Sequence, residues 1–334
     1  MAIKVIIHAG MQVEITKNIL TQAGAEPVFV PLWSEDDIVA HAANADAVIV
    51  GPTEPYTEKA IQALTKCRII SRMGIGYNNI DVEEATRQGI PVTVVLDASV
   101  HEVSDHALAC ILAFNRKLFP LDRAVKNGAW RAKSEEMPKA RTSMFRLNQQ
   151  TLGLVGMGRI GGLLAKKAVA LGMRVIIFDP YLTPEAMRQT GGEPADFERL
   201  LAESDYISLH APLTPQTEKL FGLKEFRKMK PTAYLINAAR GGLIDEKALY
   251  QALTEGMITG AGLDVTDPEP PASDNPLLRL EQVVVTGHSS FNSDASSREL
   301  QQMAAEAVLT AFRGEWPPFL INPKVREQKN CRIS

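Results

Sequence analysis

The chain has little cysteine, few aromatic residues and no long apolar run. Its 334 residues include 3 cysteines, and aromatic residues make up 6% of the composition. Cys67, Cys110 and Cys331 are scattered and form no C-x-x-C pair, so neither a disulfide framework nor a zinc site is indicated, and no metal site is predicted. Cys67 lies beside a predicted strand and Cys110 in an apolar helix, where small buried thiols are favoured.

The chain also lacks an excess of charge and any segment that would direct it to a membrane. The net charge is −3 with a pI near 6.1, and no basic stripe is present, so neither nucleic acid nor an anionic membrane is expected as a partner. The first seven residues are typical of a strand rather than a signal peptide, and no apolar run approaches the length of a membrane span. We therefore expect a cytoplasmic globular protein, long enough for two domains.

A strand, a glycine-rich turn and a helix, followed by a second strand that ends in Asp179, stand in the middle of the chain. The turn consists of Gly156, Met157, Gly158, Arg159, Ile160 and Gly161. Gly156 permits the tight turn, Gly158 lets the backbone approach a pyrophosphate, and Gly161 lets the helix pack closely on the strand. The N–H groups of residues 157–160 are expected to face the phosphates at the positive end of the helix dipole.

Asp179 decides between the two common dinucleotides. A carboxylate at the end of the second strand accepts hydrogen bonds from both hydroxyls of the adenosine ribose and repels a 2′-phosphate, so NAD is predicted rather than NADP. A glycine turn alone is a weak signal, because 23 glycines produce near matches by chance. Here both strands, the helix and the terminal acid are in register, which favours a dinucleotide site over a merely structural turn.

Short β-branched runs alternate with helical patterns along the chain, which predicts an α/β protein with parallel sheets covered by helices. The first unit has its predicted strands at 3–7, 27–30, 47–50, 68–71 and 92–95. The second has them at 152–156, 174–178, 206–209, 233–237, 259–263 and 283–286. Helices are predicted at 100–119 and 294–312, and the last dozen residues are expected to be loosely ordered. The polar segment 122–147 is expected to be a domain crossover or an arm used in dimer contact.

Two polar features are open to more than one interpretation. The loop with Gly74 and Gly76 follows a predicted strand, and the N–H groups of Ile75 and Gly76 are candidates for binding a small anion such as a carboxylate. A plain glycine turn is the alternative. His101 and His106 lie in or near the long helix, where a structural role is favoured over a catalytic one.

Three polar residues that follow strand ends in the second unit, Arg240, Glu269 and His288, can form a reaction centre. Imidazole titrates near neutral pH, so His288 can give or take the hydroxyl proton while a hydride passes between nicotinamide and a carbinol. A carboxylate on the other ring nitrogen fixes the tautomer and favours the protonated form, which suits Glu269. Arg240 can fork onto a substrate carboxylate or carbonyl oxygen. His210, which closes another strand, is favoured as part of the cofactor wall rather than as an acid or base.

With these residues the chain resembles the D-isomer-specific 2-hydroxyacid dehydrogenases over nearly its whole length, in the branch of phosphoglycerate dehydrogenases and C-terminal-binding proteins. The matching segments are Gly74-Ile75-Gly76, Asn79-Ile80-Asp81, the turn from Gly156 to Gly161, Phe178-Asp179-Pro180-Tyr181, His210-Ala211-Pro212-Leu213-Thr214, Asn237-Ala238-Ala239-Arg240-Gly241-Gly242, Asp264-Val265, Glu269 and the stretch from His288 to Ser293. The resemblance implies two doubly wound parallel-sheet domains: a Rossmann NAD domain at 101–293, inserted into a flavodoxin-like catalytic domain at 1–100 and 294–334. It also implies a homodimer formed largely through the NAD domains.

The resemblance assigns roles to single residues. Arg240 would bind substrate, Glu269 would support His288, and His288 would be the acid and base, with Ile75 and Gly76 also at the substrate. The implied NAD contacts beyond the glycine-rich turn and Asp179 are His210, Ala211, Pro212, Thr217, Ala238, Ala239, Arg240, Asp264, His288 and Ser290.

The implied activity is the NAD-dependent interconversion of a small 2-oxo acid and its D-2-hydroxy acid. Glyoxylate, hydroxypyruvate and phosphohydroxypyruvate all remain open as substrates. The alternative is an NAD(H)-sensing, corepressor-like binding protein with a retained dehydrogenase site; oxidation of formate or phosphite is a weaker one, since formate enzymes pair their histidine with Gln. Two departures from the family's pattern bear on the substrate: Gly287 replaces the usual Pro before the histidine, and Ser289-Ser290 replace a small apolar pair.

Overall fold

The chain forms two compact units, each built on one parallel sheet. The computed structural model describes residues 2–11 and 13–333. One unit comprises residues 1–99 and 293–334 and the other residues 100–292, so each division lies one residue from the expected boundary. Each sheet is covered by helices, which confirms the predicted fold class.

The elements follow one another in the alternation that the sequence predicts. The strands are β1 (Lys4–His8), β2 (Glu26–Val30), β3 (Ala47–Val50), β4 (Ile70–Arg72), β5 (Val92–Val94), β6 (Thr151–Val155), β7 (Arg174–Phe178), β8 (Glu193–Pro194), β9 (Tyr206–Leu209), β10 (Tyr234–Asn237), β11 (Gly260–Leu263) and β12 (Val283–Val285). The helices are α1 (Glu14–Gln22), α2 (Glu35–Ala42), α3 (Glu58–Ala63), α4 (Val82–Arg87), α5 (Val100–Asn115), α6 (Leu118–Lys126), α7 (Ala129–Ala132), α8 (Glu136–Arg141), α9 (Arg159–Ala170), α10 (Pro184–Arg188), α11 (Phe197–Glu203), α12 (Leu223–Phe226), α13 (Glu246–Thr254) and α14 (Asp294–Phe312). Among the described residues, no helix is both long and apolar enough to cross a membrane.

The first unit has the strand order β2-β1-β3-β4-β5, which is the flavodoxin-like order. All its strand pairs are parallel. The central strands are near-continuous apolar runs because helices cover both faces of the sheet. On one face α14 buries Leu300, Ala304 and Val308 against the sheet residues Ile7 and Ile49. The helix that follows the second unit in sequence thus completes the core of the first.

The second unit has the order β12-β11-β10-β9-β6-β7-β8, the Rossmann order with one further strand at the β12 edge. The order reverses between β6 and β9, and in such sheets ligands bind at the carboxyl ends of the strands beside the reversal. Since all strands are parallel, the segments that follow β6, β7, β9, β10, β11 and β12 lie at this one edge. These segments contain every residue of the second unit that the sequence assigned to the site.

Some expectations about the elements were wrong in detail. The helix expected at 100–119 ends at Asn115, because Lys117 has a positive φ of 55°, and α6 begins directly after it. Segment 122–147 contains the end of α6 and the short helices α7 and α8. Its use as a domain crossover or as an arm in dimer contact stays a prediction. The two-residue strand β8 was not predicted, because it is too short to show a pattern.

The C-terminal residues were expected to be loosely ordered, and this was also wrong. The guanidinium of Arg332 donates to the carbonyl oxygens of Leu64 at 2.6 Å and Cys67 at 2.9 Å. Ile333 is buried in the core of the first unit, with 6% of its surface exposed. Carbonyl groups left over at the ends of short helices and loops need donors, and this arginine supplies them.

Candidate active site

The glycine-rich turn is closed on its protein side and open on the other. Gly156 leaves β6 with a φ of 87°, and a Cβ there would lie 2.8 Å from the backbone nitrogen of Ala211. A Cβ on Gly161 would lie 2.4 Å from the carbonyl oxygen of Gly156, so only glycine lets α9 approach the strand. By contrast, no atom of the described residues lies within 4 Å of a Cβ built on Gly158. This arrangement fits a pyrophosphate that approaches the backbone at Gly158.

Asp179 is held beside this turn by two backbone amides. Its Oδ2 accepts a hydrogen bond from the amide of Met157 at 2.8 Å, and its Oδ1 accepts one from the amide of Tyr181 at 3.0 Å. The amide of Met157, which the sequence assigned to the phosphates, therefore points to the carboxylate instead. The reason is the register of β6 and β7, which places Val155 beside Phe178 and the carboxylate beside the turn. Each carboxylate oxygen still has acceptor capacity for a ribose hydroxyl.

The loop after β9 packs against the same turn. His210 Nε2 lies 2.9 Å from the hydroxyl of Ser208, and desolvation lowers the pKa of His210 to about 4. The imidazole is therefore neutral at pH 7, which agrees with a place in a wall rather than with acid–base chemistry. Farther along the loop, the hydroxyl of Thr217 donates to the carbonyl oxygen of Pro212 at 2.6 Å, which folds this loop back on itself.

The turn after β10 presents Arg240. Asn237, which is fully buried, donates from Nδ2 to the carbonyl oxygen of Arg240 at 2.9 Å and accepts at Oδ1 from the amide of Ala239 at 3.0 Å. A Cβ on Gly241 would lie 2.0 Å from the carbonyl oxygen of Thr266, so the turn lies directly on the chain that follows β11. Desolvation lowers the pKa of Arg240, and the carboxylate of Glu269 acts in the opposite direction. A guanidinium nevertheless stays charged at neutral pH.

His288 and Glu269 are brought together, as the sequence predicted for a catalytic pair. Nδ1 of His288 hydrogen-bonds to Oε1 of Glu269. This leaves Nε2 as the ring nitrogen that can exchange a proton with a ligand. Gly287 and His288 both have positive φ angles, of 61° and 53°. Proline is locked near −65° and cannot adopt the conformation of Gly287, so the departure from the family's pattern at this position has a backbone cause.

Asp264 has a role that the sequence did not reveal. The expected contact with the cofactor stays a prediction; in the structure Asp264 is 3% exposed and also holds the loop after β12. Its Oδ1 accepts from the hydroxyl of Thr286 at 2.6 Å and from the amide of Ser289 at 2.8 Å. Its Oδ2 accepts from the amide of Ser290 at 3.1 Å, and its carbonyl oxygen accepts from the amide of His288 at 2.5 Å. Burial by itself would raise the pKa of Asp264, but hydrogen bonds from the side chains of Ser290 and Thr286 and from the amides of Ser289 and Ser290 outweigh burial and lower it, so the carboxylate is ionised.

In the first unit, the loop after β4 contains the other residues assigned to the substrate. Gly74 has a φ of 144°, and a Cβ there would lie 2.6 Å from Nη1 of Arg72. Arg72 is 8% exposed, and its guanidinium also donates to the carbonyl oxygen of Met73. A buried cation thus lies under the loop of Ile75 and Gly76, whose amides were expected to bind a carboxylate. Such a cation makes the loop more favourable for an anion.

The fold and the site define a two-unit α/β protein with a glycine-rich turn for a dinucleotide and a histidine–carboxylate pair. Comparison with known proteins identifies its family. Residues 108–290 match the family described as D-isomer specific 2-hydroxyacid dehydrogenase, NAD binding domain. The chain belongs to this family. It is an NAD-dependent D-2-hydroxyacid dehydrogenase, as the sequence predicted.

Relatives with named activities are found in several organisms. The chain is 39% identical over 300 residues to a glyoxylate reductase of Korarchaeum cryptofilum, which covers 88% of the chain and 90% of the relative. It is 36% identical over 281 residues to a D-3-phosphoglycerate dehydrogenase of Archaeoglobus fulgidus, but this covers 84% of the chain and 52% of that longer relative. Among solved structures, D-lactate dehydrogenase from Aquifex aeolicus, complexed with NAD and lactic acid, has a TM-score of 0.83 at 27% identity, covering 93% of the chain and 96% of that protein.

Proposed function

We propose that the protein interconverts a small, unphosphorylated 2-oxo acid, of the glyoxylate and hydroxypyruvate class, and its D-2-hydroxy acid. The observation that carries the proposal is the hydrogen bond between His288 and Glu269, in the same unit as the glycine-rich turn and the partly buried Arg240. The choice of small substrates is supported by the glyoxylate reductase of K. cryptofilum, which the chain matches over most of both lengths.

The three residues have separate tasks in the proposed reaction. Bound NADH supplies the hydride. His288 donates a proton from Nε2 to the carbonyl oxygen as the alcohol forms, and takes it back in the reverse direction. Glu269 holds the ring through Nδ1 and stabilises its protonated form. Arg240 binds the carboxylate and carbonyl oxygens of the substrate, and its desolvated guanidinium interacts strongly with anions.

The second unit would hold the cofactor and the first would supply further substrate contacts from the amides of Ile75 and Gly76. Gly158 offers the open backbone for the pyrophosphate, and Asp179 is fixed in place to accept from the ribose. The other proposed NAD contacts are Arg159, Ile160, His210, Ala211, Pro212, Thr217, Ala238, Ala239, Asp264 and Ser290.

We also propose a homodimer, supported by apolar side chains exposed around α6, α7 and α8. They are Leu118, Phe119, Val125, Trp130 and Phe145, with 55%, 42%, 39%, 68% and 42% of their surfaces exposed. A second copy would cover this surface. Light scattering should give the mass of a dimer for the wild type and a lower mass for Trp130→Glu, and a monomeric wild type would contradict the proposal. A cytoplasmic location, where NADH is available, is proposed with it.

The test of the activity is a panel of 2-oxo acids assayed by NADH oxidation. Glyoxylate and hydroxypyruvate should be reduced well, and phosphohydroxypyruvate poorly. The matched control is His288→Gln, which keeps the fold and cofactor site but lacks the proton donor. Negligible turnover of every acid, with NADH binding intact, would overturn the proposal and favour a protein that senses NAD(H) without using it.

A further inference from the structure

A second histidine is connected to the catalytic loop by a chain of hydrogen bonds. His106, in α5, has its Nε2 3.1 Å from the hydroxyl oxygen of Thr286. The same hydroxyl lies 2.6 Å from Oδ1 of Asp264. Asp264 in turn binds the amides of His288, Ser289 and Ser290 through its carbonyl and carboxylate oxygens. His106 thus reaches the loop of His288 through two intermediate side chains.

The direction of each hydrogen bond follows from the donors available. Asp264 is ionised and can only accept, so the single hydroxyl hydrogen of Thr286 is donated to it. Thr286 must then accept from His106, which requires a hydrogen on Nε2 of His106. The chain therefore runs from His106 Nε2–H to the Thr286 hydroxyl and on to Asp264 Oδ1. Hydrogen bonds aligned in this way strengthen one another in a partly buried site.

The loop at the end of this chain needs such support. Gly287 and His288 both have left-handed backbone angles, and a residue other than glycine in that region is held there at a cost by its surroundings. The amides of residues 288, 289 and 290 all converge on Asp264, so this residue compensates the strain. The Asp264 carboxylate holds the amides of Ser289 and Ser290, so anything that orients it also orients the two residues that directly follow His288.

We infer that His106 and Thr286 are positioning residues for His288, acting in series through Asp264. The inference rests on the proposed function, because it concerns the proton donor of that reaction. A misplaced proton donor weakens stabilisation of the transition state more than binding of the substrate. Loss of these hydrogen bonds therefore lowers kcat and leaves the KM for the 2-oxo acid nearly unchanged.

The kinetic test is a double-mutant cycle. Thr286→Val removes the hydroxyl at constant volume and should lower kcat about tenfold, whereas His106→Leu should lower it about threefold. Because His106 acts only through Thr286, the double variant should match Thr286→Val alone. The conservative changes Thr286→Ser and His106→Gln keep the donors and should restore most of the rate. His101→Leu, on the exposed side of the same helix, is the matched control and should behave as wild type.

Two outcomes of the cycle would overturn the inference: effects that multiply in the double variant, or conservative variants no better than the apolar ones. A readout independent of turnover completes the test. In ¹⁵N-histidine NMR at pH 8 the neutral ring of His106, one of 6 histidines, should carry its hydrogen on Nε2, and the Nδ1–H tautomer would refute the chain. A wild type that binds NADH and reduces no 2-oxo acid would refute the proposed function instead.

Discussion

The glycine-rich turn offers a pair of alanine substitutions with opposite expected effects. At Gly158 a Cβ meets no atom of the described residues within 4 Å, and φ is −70°, a value that alanine adopts readily. Gly158→Ala should therefore fold with the stability of the wild type. At Gly161 a Cβ would lie 2.4 Å from a backbone carbonyl oxygen, so Gly161→Ala must push α9 away from the turn. Overpacking of this kind costs about 1–3 kcal/mol of the free energy of unfolding.

The two substitutions should affect NADH affinity in the opposite order from stability, with the larger loss of affinity in Gly158→Ala. A methyl group on Gly158 occupies the open space in which the pyrophosphate is proposed to lie. The loss of one hydrogen bond to a charged group costs about 1.5–3 kcal/mol, which corresponds to a 10- to 100-fold higher Kd for NADH. Gly161→Ala keeps that space open and should bind NADH more tightly than Gly158→Ala does.

Two measurements on the same protein preparations test the expected effects on stability and on NADH affinity. Thermal unfolding gives the stability of each variant without ligand, and titration of NADH fluorescence gives the Kd. A normal Tm with unchanged NADH affinity in Gly158→Ala would refute the placement of the pyrophosphate. An unchanged Tm in Gly161→Ala would show that the helix accommodates the methyl group, and the packing argument would be wrong.

Five further predictions concern the site. Glu269→Gln replaces the carboxylate that holds Nδ1 of His288, so kcat for 2-oxo acid reduction should fall while the Kd of NADH stays nearly the same; an unchanged kcat would argue against the pair. His288→Gln should lower kcat about a hundredfold or more at every pH, and near-normal turnover would exclude it as the proton donor. Arg240→Lys keeps the charge but loses the planar fork, so turnover should fall while the affinity for NADH stays nearly intact; loss of NADH binding alone would argue that Arg240 is structural. Asp179 should make kcat/KM at least about tenfold higher with NADH than with NADPH, and equal values would remove it from the ribose site. His210 titrates near 4 in the fold against about 6.5 when unfolded, so its contribution to stability, up to about 3 kcal/mol, is complete above pH 6.5 and lost as the pH falls towards 4. His210→Gln should flatten the acid side of a plot of Tm against pH, and an unchanged slope would show that the burial of this ring has no such effect.

Much of the fold follows from local pattern, because a parallel sheet covered on both faces needs apolar runs such as that of β1 and β3. The helix α14 was predicted with the bounds that the structure has, 294–312, since a serine cap and a regular apolar stripe mark it. The break at Lys117 was not predictable, because a left-handed residue other than glycine leaves no sequence signal. The binding of Arg332 to loop carbonyls depends on tertiary placement that no local pattern contains.

In the candidate site, too, some residues were predictable from the sequence and others were not. The residues that carry reactive groups, Arg240, Glu269 and His288, could be found because each follows a strand and each has a side chain suited to hydride transfer coupled to a proton. The supporting role of Asp264 could not, since it depends on which amides converge on one carboxylate. The sequence signal that remains is weak: an acid after β11 and the hydroxyl residues Thr286, Ser289 and Ser290 after the adjacent β12.

Asp264 contacts two parts of the candidate site, one through its backbone amide and the other through its oxygen atoms. Its amide donates to the carbonyl oxygen of Asn237 at 2.9 Å, and the side chain of Asn237 fixes the turn that presents Arg240. Its own oxygens fix the loop that presents His288. The turn of Arg240 and the loop of His288 are therefore both held at the ends of β10 and β11, which are paired in register. Because β10 and β11 are neighbours in the sheet, the turn that carries Arg240 and the loop that carries His288 are anchored side by side at one edge of the sheet.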